Sequence, residues 1–296
     1  VIDLPVPSPG RTPPRALTIA GSDSGGGAGI QADMRTMAMS GVHACVAVAA
    51  VTVQNTTGVT GFHPVPPGIV AGQIRTVVQD IDVQAAKTGM VAEAQIIEAI
   101  VETCIDVGIG GGRGSAEPSG GEARRTVPLV VDPVCASMHG DPLLEPHSLA
   151  ALRDRLVPLA DLVTPNLDEV RLLTGVDVTD RATQRDAARA LVDLGARWAL
   201  VTGGHLRADA DGPTAESTDL LYDGADWFEF SGPRVHTGDD HGGGDTLAAA
   251  ITCALTTGAT MPDSVAHGKE WVTRCLNWSY PLGAGHGPVS PLWRLQ

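Results

Sequence analysis

The chain has 296 residues, a formal net charge of −14 and a hydrophobic fraction of 43%. That length and apolar content suit one large α/β domain or two ordinary ones, and the acidic balance argues against nucleic acid or an anionic membrane as the main partner. A small anionic ligand stays open, because helix N-termini supply positive potential locally. The five cysteines (Cys45, Cys104, Cys135, Cys253 and Cys275) are odd in number, far apart and without a C-x-x-C pair. Neither a zinc ribbon nor a disulfide framework is expected; reduced thiols in a cytoplasmic protein are. No apolar run approaches transmembrane length.

Residues 1–15 are Pro-rich and lack the apolar centre of a signal peptide, so they are expected to be a disordered leader. Residues 16–20, ALTIA, form a short apolar run stopped by Gly-Ser-Asp, the pattern of a buried strand. A glycine-rich loop follows over 21–29, then a helix over 30–39 ended by Gly41. The glycines do not fall at G-x-G-x-x-G, and no G-x-x-x-x-G-K-[ST] occurs, which removes the Rossmann fingerprint and the P-loop. Residues 42–53 are valine-rich and end at Gln54-Asn55-Thr56. An amide there can read a donor and an acceptor on a flat heterocycle, or it can satisfy a turn. Residues 64–68 suit a turn, 69–80 a helix, and 85–90 a strand ending at Gly89-Met90. Ile96, Ile97, Ile100, Val101 and Cys104 fall at helical spacing within 93–107. Residues 108–126 are low-complexity and polar, a mobile surface insertion by composition.

Residues 127–131 form a strand followed by Asp132, at the carboxyl end where open α/β sheets bind ligands. A helix over 148–156 and a strand over 162–164 come next. Asn166 and Glu169 then open another helix. Their Asn-x-x-Glu spacing is a capping box; it also allows both residues to face Asp132 and hold Mg²⁺. A helix over 183–194 is expected with Thr183 and Asp186 as caps and Gly195 as its stop. A strand over 199–202 leads into Gly203-Gly204-His205. Residues 219–222 and 228–230 read as a hairpin around Asp223-Gly224. The stretch 236–250, HTGDDHGGGDTLAAA, places Gly242, Gly243 and Gly244 directly before a helix expected from Thr246 to about Thr256. Unpaired N–H groups and the positive dipole end make such a start an anion site. Asp245 is poorly placed to hold phosphate and well placed to accept a proton from an attacking alcohol. The plainer reading is a flexible loop with Asp245 as N-cap. A final helix over 264–277 and a turn at His286-Gly287-Pro288-Val289 complete the chain, which shows no strong internal repeat.

The stretches ALTIAGSDSGGGAGIQADM, VTVQNTTGV, AAKTGM, VVDPV, GDPLL, LVTPNLDEVRLLTG, TGGHL, HGGGDTLAAAI and GHGPV together resemble the bacterial hydroxymethylpyrimidine/phosphomethylpyrimidine kinases of thiamine synthesis, in the ribokinase-like superfamily. They stand in family order across residues 16–289. The resemblance implies a three-layer α/β/α sandwich with a mostly parallel central sheet, in one domain over 16–296. It implies ATP and Mg²⁺ as cofactors, a small pyrimidine substrate, no nucleic-acid or membrane partner, and a homodimer. By position, Gly21, Ala28, Asp33, Gln54, Met90 and Val134 would form the pyrimidine pocket. Asn166, Thr202 and Gly204 would lie at the ATP phosphates, and Asp132 and Glu169 at the metal. Gly242, Gly243 and Gly244 would form the anion hole, with Asp245 at the base position.

Three departures stand out. The family usually carries G-T-G-C where this chain has G-G-G-D; aspartate is what the wider superfamily, sugar and pyridoxal kinases included, places there. The family's K-G-G-H is Thr202-Gly203-Gly204-His205 here, and the loop from Cys135 to His139 lacks the usual lysine. Two lost cations bear on activity, on phosphoryl donor and on the balance between the two phosphorylation steps. A pyridoxal or pyridoxine kinase is the alternative enzyme, and a pyrimidine-binding sensor that has lost turnover is the alternative of another class.

Overall fold

The structure is a computed structural model that describes residues 7–112, 126–135, 144–204, 206 and 215–296. The expected insertion at 108–126, the leader's first six residues, the loop after Cys135 and His205 fall wholly or largely outside these. A nine-stranded sheet carries the fold, in the order β3-β2-β1-β4-β5-β6-β7-β8-β9. Its strands are β1 (Arg15–Gly21), β2 (His43–Asn55), β3 (Gly58–Pro64), β4 (Ala85–Thr88), β5 (Leu129–Val131), β6 (Leu162–Val163), β7 (Trp198–Val201), β8 (Glu216–Tyr222) and β9 (Trp227–Pro233). The six strands from β2 to β7 run parallel, and β3, β8 and β9 pair antiparallel at the two ends. The expected mostly parallel three-layer sandwich is the one observed.

The helices are α1 (Gly29–Met39), α2 (Pro67–Ile81), α3 (Ala94–Val107), α4 (Pro146–Ala151), α5 (Leu167–Thr174), α6 (Arg181–Asp193), α7 (Gly243–Leu255) and α8 (Met261–Asn277). Strand alternation sorts them onto two faces. Leu17, Ile19, Ala86, Leu129, Val131, Val163, Ala199 and Val201 pack on the side of α2, α3, α5 and α6. The residues between them, Ala85, Val130, Leu162 and Leu200, meet Leu247, Ala248, Ile251 and Leu255 of α7 and Val265 of α8. Ala16 meets Met37 of α1 and Ala249 and Cys253 of α7. Lys87, two residues after Ala85, and Thr18, two after Ala16, therefore point toward α1 and α7. All five cysteines are free and buried.

Several elements depart from the sequence reading. The strand β3 was not expected: Gly58, Gly61 and Pro64 break its pattern, and an edge strand tolerates them because one side of its backbone needs no partner. The helix expected over 148–156 is a short α4 that widens into a π turn (Leu152–Leu156) and tightens into a 3₁₀ turn (Val157–Leu159). Asp180, not Thr183 or Asp186, caps α6, with Thr183 at the third helical position completing a reciprocal box. Arg15, placed in the leader, is the first residue of β1; its guanidinium donates to the Ile81 and Asp82 carbonyls. Among the described residues no helix is long and apolar enough to cross a membrane.

Candidate active site

The residues singled out in the sequence fall along the carboxyl edge of the parallel strands. Gln54 is the second-last residue of β2, Gly21 ends β1, Met90 follows β4, Asp132 and Val134 follow β5, Asn166 follows β6 and Thr202 follows β7. The chain runs left from β1 to β2 and later returns to β4 on its right, so the crevice between β1 and β4 is a topological switch point. Gly21 and Met90 meet there: Gly21 N–H donates to Met90 O at 2.9 Å, and a Cβ on Gly21 would lie 2.9 Å from Met90 Cε. Ala28, Gln54, Met90 and Val134 are all half-buried. Gln54 has both backbone groups tied to the Ser24 hydroxyl of the first glycine loop, while its side-chain amide bonds no described residue.

The two glycine loops are fastened to each other. Asp23 Oδ2 accepts from Gly27 N–H at 2.9 Å and Ala28 N–H at 2.8 Å, Oδ1 accepts from Gly25 N–H at 2.7 Å, and His241 Nε2 lies 3.0 Å from Oδ2. Burial pushes the Asp23 carboxyl up, but the bonds from His241, Ala28, Gly25 and Gly27 outweigh it and hold the carboxyl below its usual range. The loops approach so closely that a Cβ on Gly242 would overlap the Gly27 carbonyl oxygen, and Gly242 has φ +77°. Only glycine fits on both counts. The C-terminal turn braces the second loop: Gly287 N–H donates to Asp239 Oδ1 at 2.9 Å, Val289 N–H to His241 O at 3.1 Å, and His286 Nδ1 lies 3.2 Å from Asp240 Oδ1.

Gly242 is the N-cap of α7, and Gly243, Gly244 and Asp245 form its first turn. The helix begins earlier than expected and Asp245 is not its cap. The hole also differs in its donors. Gly243 N–H is spent on the Asp240 carbonyl at 3.1 Å, whereas the N–H groups of Gly242, Gly244 and Asp245 bond no described residue. The free donors are therefore those three, and Asp245 contributes its backbone as well as its side chain.

Beneath this turn lies a buried ammonium that the sequence reading did not single out. Lys87 Nζ donates to Asp33 Oδ1 at 2.7 Å and lies 3.4 Å from Asp245 Oδ1 and 3.8 Å from Asp132 Oδ2. Asp33 Oδ2 accepts from the Thr18 hydroxyl at 2.6 Å, and Asp245 Oδ2 from Gly29 N–H at 3.1 Å. Side-chain exposure is 0% for Lys87 and Asp33, 5% for Asp132 and 12% for Asp245. Asp33 is fully buried and its oxygens are taken by Lys87 and Thr18; a buried ammonium requires such a counter-ion. Burial pulls the Lys87 pKa down, but Asp33, Asp245 and Asp132 together carry it above its ordinary value. Burial, with the charge of Asp245, pushes Asp33 up to about 6 against the pull of Lys87. Asp132 rises to about 7 through burial and its two aspartate neighbours.

Both bonds of the Asn166–Glu169 capping box are formed, at 2.9 Å each. Glu169 is buried, and burial first and Asp132 second raise its pKa well above the usual carboxylate range. Asp132 Oδ2 is buried without a hydrogen-bond partner. At the far end, Thr202 is half-buried and Gly204 exposed. Gly203 N–H donates to Asp219 Oδ1 at 2.8 Å, and Asp219 Oδ2 pairs with Lys269 at 3.0 Å. Arg234 donates to the carbonyls of Gly203, Gly204 and Leu206. Besides Lys87, the sequence reading passed over Asp23 and His241. A lone lysine in an apolar strand core was the available signal for the first; Asp23 sat in what looked like a turn.

Solved structures share this fold. The Bacillus subtilis pyridoxal kinase in its ADP complex superimposes with a TM-score of 0.80 at 31% identity, covering 96% of this chain and 100% of that one. The Clostridium difficile phosphomethylpyrimidine kinase gives 0.72 at 33% identity, covering 88% and 98%. A three-layer sandwich with a glycine-headed helix and its carboxylate over the switch point defines a ribokinase-like small-molecule kinase. Sequence comparison narrows the class. The model of the phosphomethylpyrimidine kinase family matches residues 23–109 and 121–290. The hydroxymethylpyrimidine/phosphomethylpyrimidine kinase of Mycobacterium leprae is 60% identical over 98% of both chains, and that of Streptomyces coelicolor 45% identical over 99% of both. The chain belongs to the phosphomethylpyrimidine kinase family.

Proposed function

We propose that the chain transfers the γ-phosphoryl group of ATP to the hydroxymethyl oxygen of 4-amino-5-hydroxymethyl-2-methylpyrimidine, and then phosphorylates the resulting monophosphate, in thiamine biosynthesis. The observation that carries this reading is the division of the strand edge about α7. Gly21, Ala28, Gln54 and Met90 lie on the β2-β1-β4 side; Asp132, Asn166, Glu169 and Thr202 lie on the β5-β6-β7 side. The turn bearing Asp245 stands between them, as α7 packs on both β4 and β5. Asp245 is the most exposed carboxylate of the Lys87 cluster. In the reaction the substrate hydroxyl gives its proton to Asp245, its oxygen bonds to the γ-phosphorus, and the bond to the β-phosphate oxygen breaks to release ADP. The unpaired N–H groups of Gly242, Gly244 and Asp245 meet the charge on the transferred group. A loose phosphoryl transition state asks mainly for such positioning and charge stabilisation. The Gln54 amide reads the aminopyrimidine edge, and Met90 and Val134 flank the ring.

Asp132 and Glu169 fit Mg²⁺. Oδ2 of Asp132 is buried with no hydrogen-bond partner, and both carboxyls carry pKa values raised by burial and by neighbouring aspartates, the condition that a bound cation relieves. Among the described residues no three His, Cys, Asp or Glu side chains converge as metal ligands. One or two carboxylates completed by water and substrate phosphates is the usual Mg²⁺ arrangement. Bound Mg²⁺ supplies neutralisation of the phosphate charge. Asn166 and the Thr202–Gly204 backbone border the phosphates, with residues 16–296 acting as one catalytic unit. The exposed Val51, Val53, Val59 and Phe62 on the β2–β3 ribbon support a homodimer, and the buried free thiols a cytoplasmic location.

The test offers purified protein the pyrimidine, its monophosphate and pyridoxal in parallel, with ATP and Mg²⁺. Phosphate transfer to both pyrimidines is expected. Preference for pyridoxal would move the reading to a pyridoxal kinase; binding without transfer to any acceptor would move it to a sensor.

A further inference from the structure

We infer that Arg234 is a positioning residue for the nucleotide: it grips the carbonyl side of the loop after β7, so that the Gly204 N–H is turned toward the phosphates. This rests on the proposed placement of the Thr202–Gly204 backbone beside ATP. The sheet brings the parts together. β8 runs antiparallel to β7 and β9 antiparallel to β8, with Val201 opposite Leu220 and Glu216 opposite Pro233. The carboxyl end of β9 therefore lies at the same sheet edge as the carboxyl end of β7. Arg234 is the next residue, and its own N–H donates to Ala215 O at 2.9 Å. From there the chain runs on to the second glycine loop at Gly242.

The Arg234 guanidinium donates to Gly204 O, to Leu206 O at 2.9 Å and to Gly203 O at 3.4 Å. One planar group thus holds several carbonyls of a single loop, a task for a rigid fork of donors and not for a point charge. In a trans peptide the C=O and the following N–H point in opposite directions. With Gly203 O turned to Arg234, the Gly204 N–H points away from it, and that N–H bonds no described residue. Gly204 is exposed, and a Cβ there would meet nothing within 4 Å, so the space beside it is open to a ligand. A second hold grips the loop through its N–H side. Gly203 N–H donates to Asp219 Oδ1 at 2.8 Å, Asp219 Oδ2 pairs with Lys269 Nζ at 3.0 Å, and Lys269 also donates to Ser217 Oγ at 3.0 Å. Gly203 lies so close to β8 that a Cβ on it would overlap Thr218 O. The orientation decides the sign of the interaction. Reversed, the peptide would present a carbonyl oxygen to the triphosphate and repel it; as held, it presents a donor and the positive end of the peptide dipole. The described residues of the loop carry no cationic side chain that could do this instead.

Binding to the folded full chain is measured by calorimetric titration for ATP with Mg²⁺ and for the pyrimidine, and by ligand-observed NMR for adenosine, which has no phosphate. Arg234→Gln keeps a donor but cannot span the loop's carbonyls. It is expected to weaken ATP binding by about 10–100-fold, what the loss of one hydrogen bond to a charged group amounts to. Adenosine and pyrimidine affinities are expected to be unchanged. Arg234→Lys should recover part of the loss, since an ammonium lacks the planar fork. Gly204 has no positive φ and open space around it, so Gly204→Pro removes the N–H itself with Arg234 in place. The same selective loss is expected there, and the inference does not depend on one variant folding. Wild-type ATP affinity in either Arg234→Gln or Gly204→Pro would overturn the inference. So would an equal loss for adenosine, which would assign Arg234 to overall folding, or full recovery in Arg234→Lys, which would assign the effect to charge alone. Phosphate transfer to no acceptor, with the selective loss of ATP still present, would overturn the proposed reaction and leave the role of Arg234 standing.

Discussion

Asp23 and His241, 218 residues apart in sequence, join the two glycine loops through a contact of 3.0 Å between Oδ2 and Nε2. The pair sits where Gly27 and Gly242 pass each other with no space for a side chain, so its bond sets the separation of the proposed pyrimidine loop from the proposed phosphate loop. Breaking it leaves Asp23, 2% exposed, short of one donor. His241→Ala is expected to cost about 1.5–3 kcal/mol of stability, the range for a hydrogen bond to a charged group. It should also raise KM for both substrates. Chemical denaturation and steady-state kinetics check this; normal KM values for both substrates would show that the loops hold their spacing without the pair.

Substrate identity turns on Gln54. Its backbone is held by Ser24 and its side-chain amide has no partner among the described residues, which leaves that amide available to a ligand. Gln54→Leu is expected to cost about 1–3 kcal/mol of pyrimidine binding, the penalty for unpaired polar groups on the buried ring edge. Calorimetric titration measures it. Unchanged affinity would move the pyrimidine elsewhere and favour pyridoxal, which has no such edge.

Asp132 gives a pH-dependent prediction whose sign follows from the direction of its shift. Its folded pKa of about 7 lies above the unfolded value of about 3.9. Its proton therefore stabilises the fold at low pH, and that contribution is lost as pH rises from about 4 to about 7. Asp132→Asn has no proton to lose. Relative to the wild type its Tm should rise between pH 4 and pH 8, in chelator and without nucleotide. Parallel Tm profiles would show that Asp132 is not strained by its surroundings.

Glu169 separates capping from metal binding. Glu169→Gln keeps an acceptor for the Asn166 N–H and leaves the Asn166 side-chain bond intact, but it removes the charge. A raised Mg²⁺ requirement with near-normal thermal stability is expected, read from initial rates against Mg²⁺ and from a melting curve. A large stability loss with unchanged Mg²⁺ dependence would reduce Glu169 to a helix cap.

Much of this architecture was legible because it rests on local signals. The apolar runs of β1 and β4, the helical spacing in α3 and the glycine loop before α7 each declare themselves within a dozen residues. Asp132 followed from the rule that parallel strands present ligands at their carboxyl ends, whereas Gly21, Met90, Val134 and Thr202 were named only through the family resemblance. What escaped depends on contacts distant in sequence. Lys87 reads as a stray charge in AAKTGM until alternation along β4 turns it toward Asp33, 54 residues back, and Asp245, 158 residues ahead. Asp33 was assigned to the pocket by the family resemblance, which carries a position and not a side-chain direction; its side chain turns inward to Lys87 and Thr18. Gly243 was counted as a free donor because a run of glycines does not reveal that Asp240 O already accepts from one of them. The strand β3 escaped because edge strands can carry glycine and proline that break the usual pattern.

The most direct test of the chemistry is at Asp245. The acceptor alcohol is a weak nucleophile while protonated, and general-base help is worth roughly 10²–10⁴-fold. Asp245→Asn preserves shape and a hydrogen-bonding oxygen for Gly29 N–H, and it leaves the backbone donors of the turn in place. Turnover is expected to fall by about that factor, with pyrimidine and ATP affinities within a few fold. Asp245→Cys should retain measurable activity, because a thiolate accepts a proton in the same position. Asp240→Asn is the control. Its carbonyl still takes Gly243 N–H, and its side chain, which faces His286 and not the cluster, keeps an oxygen for the ring, so near-normal turnover is expected. Normal turnover in Asp245→Asn combined with loss in Asp240→Asn would place the base one turn earlier. Equal, severe loss in both would assign Asp245 to holding the loop and not to moving the proton.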